Sequence, residues 1–106
     1  MRRVALLVIA GLLACAPGEA AGRKPATVRV TIDGAKFSPA DVTAHPGDTV
    51  IWTNKDILAH TVTAQSGAFD SKVIVPGGTW KLVVRKAGNF PYKCSFHPMT
   101  GTLKVQ

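Results

Sequence analysis

The stretch Tyr92-Lys-Cys-Ser-Phe-His-Pro-Met-Thr-Gly-Thr-Leu-Lys-Val-Gln106 ends one strand-like segment, carries three candidate metal ligands and begins another strand-like segment. Its Cys94, His97 and Met99 place a thiolate, an imidazole and a thioether within six residues. Two imidazoles and a thiolate in a trigonal plane, with a weak axial thioether, are typical of a copper electron-transfer site. The missing imidazole has a candidate in His60. The sequence therefore predicts one copper site.

The chain outside this stretch has the pattern of a β protein. From Thr27 onward, polar and apolar residues alternate with the two-residue period of strands, and clusters of Pro, Gly, Asn and Asp separate the segments. The strand-like segments are 27–32, 41–44, 49–53, 60–64, 79–84, 89–94 and 100–105. No segment has the period of an amphipathic helix. Seven or eight short strands predict an all-β fold, an antiparallel Greek-key β-sandwich.

The apolar residues of these segments form the expected core. We expect Trp52 and Phe69 to be core residues rather than electron relays, and His45, in a His-Pro-Gly-Asp turn, to lie on the surface. The full predicted core consists of Phe37, Val50, Trp52, Val62, Phe69, Leu82, Val84, Phe90 and Val105.

The N-terminus is typical of an export signal. Two arginines precede the apolar run 4–14, which is too short to span a bilayer. The sequence is compatible with two cleavage sites for this signal. A cut after Ala20 would remove residues 1–20, whereas Leu12-Leu13-Ala14-Cys15 resembles a lipobox. In the lipobox case residues 1–14 are removed and Cys15 becomes an acylated N-terminus that tethers the protein to a bacterial membrane.

Length, charge and cysteine content restrict the nature of the chain after the signal. Residues 21–26 read as a tether and residues 27–106 as one domain of a mature chain of about 85 to 90 residues. Removal of Arg2 and Arg3 leaves 11 basic against 6 acidic residues, a net charge of +5, or +6 without Glu19. Scattered basic residues without an exposed aromatic series argue against nucleic acid as a partner. An unpaired Cys94 in an oxidising compartment needs protection, which a metal provides.

Three motifs in order resemble those of a known family. They are Gly47-Asp-Thr-Val-Ile-Trp-Thr-Asn54, Ala59-His-Thr-Val62 and Gly88-Asn-Phe-Pro-Tyr-Lys-Cys-Ser-Phe-His-Pro-Met-Thr-Gly101. From about Val28 to the C-terminus the chain resembles the cupredoxins, the small blue copper proteins, and among them the amicyanin, pseudoazurin and plastocyanin group. The resemblance implies that His60 and His97 are the imidazole ligands of one type 1 copper, Cys94 the thiolate and Met99 the axial thioether.

The sequence departs from that family pattern at two positions. Only Pro98 separates His97 from Met99, where the shortest common loop of the family has two residues. Proline restricts the backbone of the preceding residue, so the axial position is open to either Met99 or the Ala59 carbonyl. Thr61 stands where several relatives have Asn, and its backbone N–H is expected to donate to the Cys94 sulfur.

The expected function is that of an exported, monomeric carrier of single electrons, and not an enzyme. An apolar face near Leu58, Ala59, Phe96 and Pro98 is expected to dock redox partner proteins, and Lys55 and Lys93 give it a positive rim for an acidic partner. Two alternatives remain. A periplasmic copper carrier or chaperone would use similar ligands but release the ion, and a β-sandwich interaction module would bind no metal.

Overall fold

The computed structural model describes residues 23–106, which form eight strands and no helix. The predicted export signal 1–20, with Cys15, and residues 21–22 of the predicted tether lie outside this described part. The strands are β1 (Thr27–Asp33), β2 (Lys36–Ser38), β3 (Asp41–Ala44), β4 (Thr49–Asn54), β5 (Thr63–Ala64), β6 (Thr79–Val83), β7 (Gly88–Lys93) and β8 (Thr100–Val105). Across residues 23–106 there is accordingly no helix with the length and apolar character needed to cross a membrane.

The strands form two four-stranded sheets, with the orders β2-β1-β4-β6 and β3-β8-β7-β5. Buried residues from both sheets share one hydrophobic core, so the sheets pack as a sandwich. The predicted all-β sandwich and the strand number are confirmed. The sheets are mixed rather than purely antiparallel, because β1 pairs with β4 and β3 pairs with β8 in parallel. Segment 34–48, which contains β2 and β3, provides the crossover that the β1–β4 pair requires.

Strand β4 runs through the centre of the core. Its Val50, Trp52 and Asn54 are buried and alternate with half-buried residues, as expected for a strand with one inward face. The Trp52 ring lies 5.4 Å from that of Trp80 and 5.6 Å from that of Tyr92, measured between centroids. Such aromatic pairs contribute about 0.5 to 1.5 kcal/mol each beyond the area that they bury. The aromatic cluster therefore fixes the two sheets against each other.

The predicted core agrees with the structure at most positions. Phe37, Val50, Trp52, Val62, Val84 and Val105 are buried. Phe69, Leu82 and Phe90 are only partly buried and pack against the core from its margin. Leu82 belongs to β6, the last strand of its sheet, where one side has no neighbouring strand to cover it.

A buried carboxylate attaches residues 23–26, the end of the predicted tether, to the sandwich. The side chain of Asp48 is 1% exposed and accepts two hydrogen bonds from the Arg23 guanidinium, at 2.9 and 3.1 Å. It also accepts the backbone N–H groups of Ala26 at 2.8 Å and His45 at 2.9 Å. The Arg23 guanidinium and these N–H groups hold the pKa of Asp48 well below its usual range.

We predict that Asp48 makes the fold sensitive to acid. Since its pKa is lower in the folded chain than the unfolded value of about 3.9, its contribution is fully present above that value and is lost as the pH falls through the folded pKa. Asp48→Asn should lower the melting temperature at pH 7 and flatten its decline between about pH 4 and 2. Circular dichroism melts measure both effects.

The matched control is Asp33→Asn, which changes an exposed aspartate at the end of β1. This variant should show the same decline of melting temperature at low pH as the native protein. If Asp48→Asn retained the full native decline of melting temperature below pH 4, the assignment of that decline to Asp48 would be wrong.

Candidate metal centre

The four predicted ligands come from two loops that follow strands of opposite sheets. His60 lies in the connection between β4 and β5, where its backbone N–H donates to Ile74 O at 3.2 Å and its carbonyl accepts from Ile74 N–H at 2.8 Å. Cys94 directly follows β7 and Met99 directly precedes β8. The β7–β8 pair therefore presents one short loop, which carries three of the four candidate ligands.

The structure brings two imidazoles and the thiol together. Sγ of Cys94 lies 3.6 Å from Nδ1 of His60 and 3.8 Å from Nδ1 of His97, and the three donor atoms all lie within 4.8 Å of one another. A metal at the usual distances of about 2.0 Å from nitrogen and about 2.3 Å from sulfur, in a trigonal plane, would separate nitrogen from sulfur by about 3.7 Å. The donor atoms thus already have the spacing of a metal site.

The candidate ligands differ in exposure. His60, Cys94 and Met99 are buried, and His97 is half-buried. Its ring meets that of His60 with 4.8 Å between centroids. The site is therefore closed on its inner side, and His97 is the candidate ligand nearest to solvent.

The loop from Cys94 to Met99 is held by its own backbone. Cys94 N–H donates to Met99 O at 3.2 Å, which closes the loop between its first and last candidate ligands. Met99 N–H donates to His97 O at 2.8 Å across Pro98, whose ring fixes φ. These bonds and the proline leave the loop little freedom, which keeps the three side chains in one arrangement.

The sulfur of Cys94 accepts two backbone hydrogen bonds. Thr61 N–H and Phe96 N–H each lie 3.4 Å from Sγ. Burial raises the pKa of the thiol, but these donors, together with His97 and His60, lower it to about 6. The bond from Thr61 confirms the sequence-based expectation, whereas the bond from Phe96 was not anticipated. The thiolate, which is the form that binds metal, is favoured near neutral pH.

Comparison with known proteins agrees with this geometry. The sequence profile of the cupredoxin-like domain matches residues 4–105. The chain belongs to the cupredoxin-like family. It is 31% identical over 96 residues to amicyanin from Paracoccus versutus, a match that covers 85% of this chain and 73% of the relative. It is 30% identical over 111 residues to amicyanin-alpha from Methylorubrum extorquens, covering 96% and 93%.

A solved structure gives the same result for the fold. The purple cupredoxin from Nitrosopumilus maritimus superposes with a TM-score of 0.68 at 26% identity, covering 74% of this chain and 99% of that one. The resemblance to the cupredoxins that the sequence motifs indicated is confirmed. Family membership and a donor set of two imidazoles, a thiolate and a thioether also confirm the prediction of copper as the cofactor.

In this cupredoxin, an aspartate that the sequence analysis missed contacts the buried imidazole. Oδ2 of Asp56 lies 2.8 Å from Nε2 of His60. Burial lowers the pKa of His60, but the contacts with Asp56 and Cys94 raise it above its ordinary value overall. The hydrogen bond with His60 in turn lowers the pKa of Asp56. The sequence signal that could have identified Asp56 was an acidic residue four positions before the candidate ligand His60.

The last residue of β4 organises the loop that carries His60, and it was also missed. The side chain of Asn54 is fully buried. Its Nδ2 donates to Leu58 O and to Ile74 O, both at 2.9 Å, and its Oδ1 accepts from Asp56 N–H at 2.9 Å. One side-chain amide therefore binds the backbone of Asp56 and Leu58, in the loop before His60. It also binds the backbone of Ile74, which pairs with His60.

Proposed function

We propose that this cupredoxin carries single electrons through one type 1 copper held by His60, Cys94, His97 and Met99. The observation that supports this most directly is the placement of Sγ of Cys94 3.6 and 3.8 Å from the two Nδ1 atoms, with two backbone N–H groups on the sulfur. His60, Cys94 and His97 form the equatorial set and Met99 the weak axial donor. Bound copper would supply a Cu(I)/Cu(II) couple.

The rigidity of the site favours electron transfer over copper delivery. Two of the equatorial ligands are buried, and the loop is closed by the bond from Cys94 N–H to Met99 O. A framework that is assembled before metal binding changes little between the two oxidation states, so reorganisation is small. A carrier that hands over its ion needs ligands that open, and only His97 is near solvent. The electron carrier is therefore the better-supported function, and an enzyme activity is not part of it.

The proposed docking face surrounds the accessible edge of His97. Leu58 is 47% exposed and Phe96 is 53% exposed, and Pro98, which follows His97 in the ligand loop, is also exposed. The Phe96 and His97 rings meet edge to face with 6.4 Å between centroids. An exposed apolar patch beside a redox centre suits a partner that approaches closely.

Charge on the same side of the molecule suits an acidic partner. Lys55 lies in the connection that carries His60, Lys93 is the last residue of β7 before the other loop, and both are exposed. Positive residues at the rim of an apolar face raise the rate of encounter with an acidic protein.

Export remains part of the proposal. The positively charged start and the apolar run 4–14 support delivery outside the cytoplasm, where an unpaired thiol such as Cys94 is protected by metal. Mass spectrometry of the protein purified from cells distinguishes a cut after Ala20 from acylation of Cys15, and retention of residues 1–14 would contradict export.

We predict an intense visible thiolate-to-copper band and a narrow copper hyperfine splitting for the copper(II)-loaded protein. Cys94→Ser should abolish the band, because serine lacks the sulfur. His45→Ala, which changes a histidine outside the site, is the control and should keep it. Absence of the band from the native protein would refute the type 1 copper site. A native band with irreversible voltammetry and rapid transfer of copper to a chelator would instead favour the copper carrier.

We predict that Met99 sets the reduction potential. Met99→Leu preserves most of the buried volume at a cost below about 1.5 kcal/mol but removes the sulfur, so the potential should rise. Met99→Gln supplies a harder oxygen donor, which should lower the potential. Cyclic voltammetry and the visible spectrum measure both. If neither variant changed potential or spectrum, the Ala59 carbonyl would be the axial ligand.

We predict that electrons cross the apolar face. Electron self-exchange between oxidised and reduced copies, measured by NMR line broadening, needs no partner protein. Leu58→Glu and Phe96→Glu should slow it at least about fivefold, since truncating or charging a central contact costs more than about 1 kcal/mol. Val83→Glu makes the same charge change at an exposed position and is the control. Val83 pairs with Thr49, at the end of β4 opposite to the loop that carries His60. Equal effects at all three positions would contradict this docking face.

A further inference from the structure

The carboxylate of Asp56 connects two parts of the chain that lie apart in the sequence. Its Oδ2 is 2.8 Å from Nε2 of His60 and accepts the N–H of Ala35 at 3.0 Å. Its Oδ1 accepts the N–H of Ile57 at 2.8 Å, and its own N–H donates to Asn54 at 2.9 Å. Both carboxylate oxygens therefore have partners, and the side chain is held in one position.

Ala35 lies in an unusual turn. Asp33 pairs with Lys36, so Gly34 and Ala35 form a two-residue hairpin turn between β1 and β2. Their φ angles are 60° and 56°, which is the left-handed conformation of a type I′ turn. An alanine is uncommon there because its Cβ crowds the backbone. The turn nevertheless presents the Ala35 N–H to Asp56, so a strained backbone position lies directly beside the partner of His60.

The contact with Asp56 also decides which nitrogen of His60 is free. An ionised carboxylate can only accept, so Nε2 of His60 carries the proton and donates it. In the neutral ring Nδ1 then has a lone pair, and this atom faces Sγ of Cys94 at 3.6 Å. Carboxylate–histidine pairs of this kind fix the tautomer and the orientation of metal-binding imidazoles.

From these contacts we infer that Asp56 is a positioning residue for His60, and that the β1–β2 turn, through the Ala35 N–H, belongs to the framework of the copper site. The inference rests on the proposed function. Asp56 keeps the buried ring in the tautomer and orientation that copper requires. Its negative charge beside the ligand also stabilises the more positive Cu(II) over Cu(I), which lowers the reduction potential.

Two variants of Asp56 separate orientation from charge. Asp56→Asn keeps an acceptor oxygen and removes the charge, so the potential should rise while His60 keeps its Nε2–H tautomer. Asp56→Ala removes the acceptor. It should produce a mixture of tautomers in the metal-free protein, faster exchange of the Ala35 amide proton and a loss of copper(II) affinity of about 10- to 100-fold. Asp33→Asn, an exposed aspartate beside the same turn, is the control and should have none of these effects.

The measurements are ¹⁵N NMR of the histidine ring and amide exchange in the metal-free protein, with copper titration and voltammetry of the loaded protein. Native tautomer and native copper affinity in Asp56→Ala would overturn the inference. So would an equal rise of potential in Asp33→Asn and Asp56→Asn. If Asp56→Ala did not fold, an unchanged potential in Asp56→Asn would overturn the role of its charge, and a tautomer mixture in the native protein would overturn the role in orientation. Failure of the copper proposal itself would appear separately, as a native protein without the thiolate-to-copper band.

Discussion

A buried sulfur that must remain an anion is the constraint on which the rest of this structure depends. Desolvation alone would keep the Cys94 thiol protonated, and the opposing contribution comes from donors placed around it. Two of these are backbone N–H groups, from Thr61 and Phe96, whose positions are set by the chain and not by flexible side chains. The architecture around the site therefore has to fix backbone segments from two loops to within hydrogen-bonding distance of one atom.

The second sheet supplies this precision. Strand β7 pairs with β8 on one side and with the short β5 on the other, where Thr63 faces Lys93. That pairing places Thr61 next to the loop after β7, and Thr61 Oγ1 accepts the N–H of Ser95 at 2.8 Å in addition. The loop is thus bound at its start to the neighbouring connection and closed at its end by Met99. Backbone hydrogen bonds of the chain thus hold both loops, and a site held in this way suits electron transfer because its geometry changes little with oxidation state.

Two different sequence patterns predicted the sandwich and the set of donor atoms. Alternation in segments such as 49–53 reports that one face is buried, and a thiolate, two imidazoles and a thioether at this spacing have few chemical alternatives. The parallel pairing of β1 with β4 could not be predicted, because the alternation of polar and apolar residues within a strand does not identify the strand that lies next to it. Asp56 was missed for a related reason. Asp56 stands four residues before His60, but its contact with the turn 21 residues earlier has no local signal in either segment.

The two imidazoles of the site have different contacts and different exposure, which suits them to different roles. His60 is fully buried, with Asp56 on one ring nitrogen and Cys94 on the other. His97 is half-buried beside Phe96, and within residues 23–106 the polar contact of its ring is with Cys94. A ring fixed at both nitrogens maintains geometry, whereas a ring with an edge toward solvent would give the proposed partner its shortest path to a bound metal. Because Pro98 restricts the chain between His97 and Met99, the accessible imidazole and the proposed axial thioether cannot move independently. In the proposed function, a partner that docks at His97 would therefore also act on Met99, and a single proline would link docking to the reduction potential.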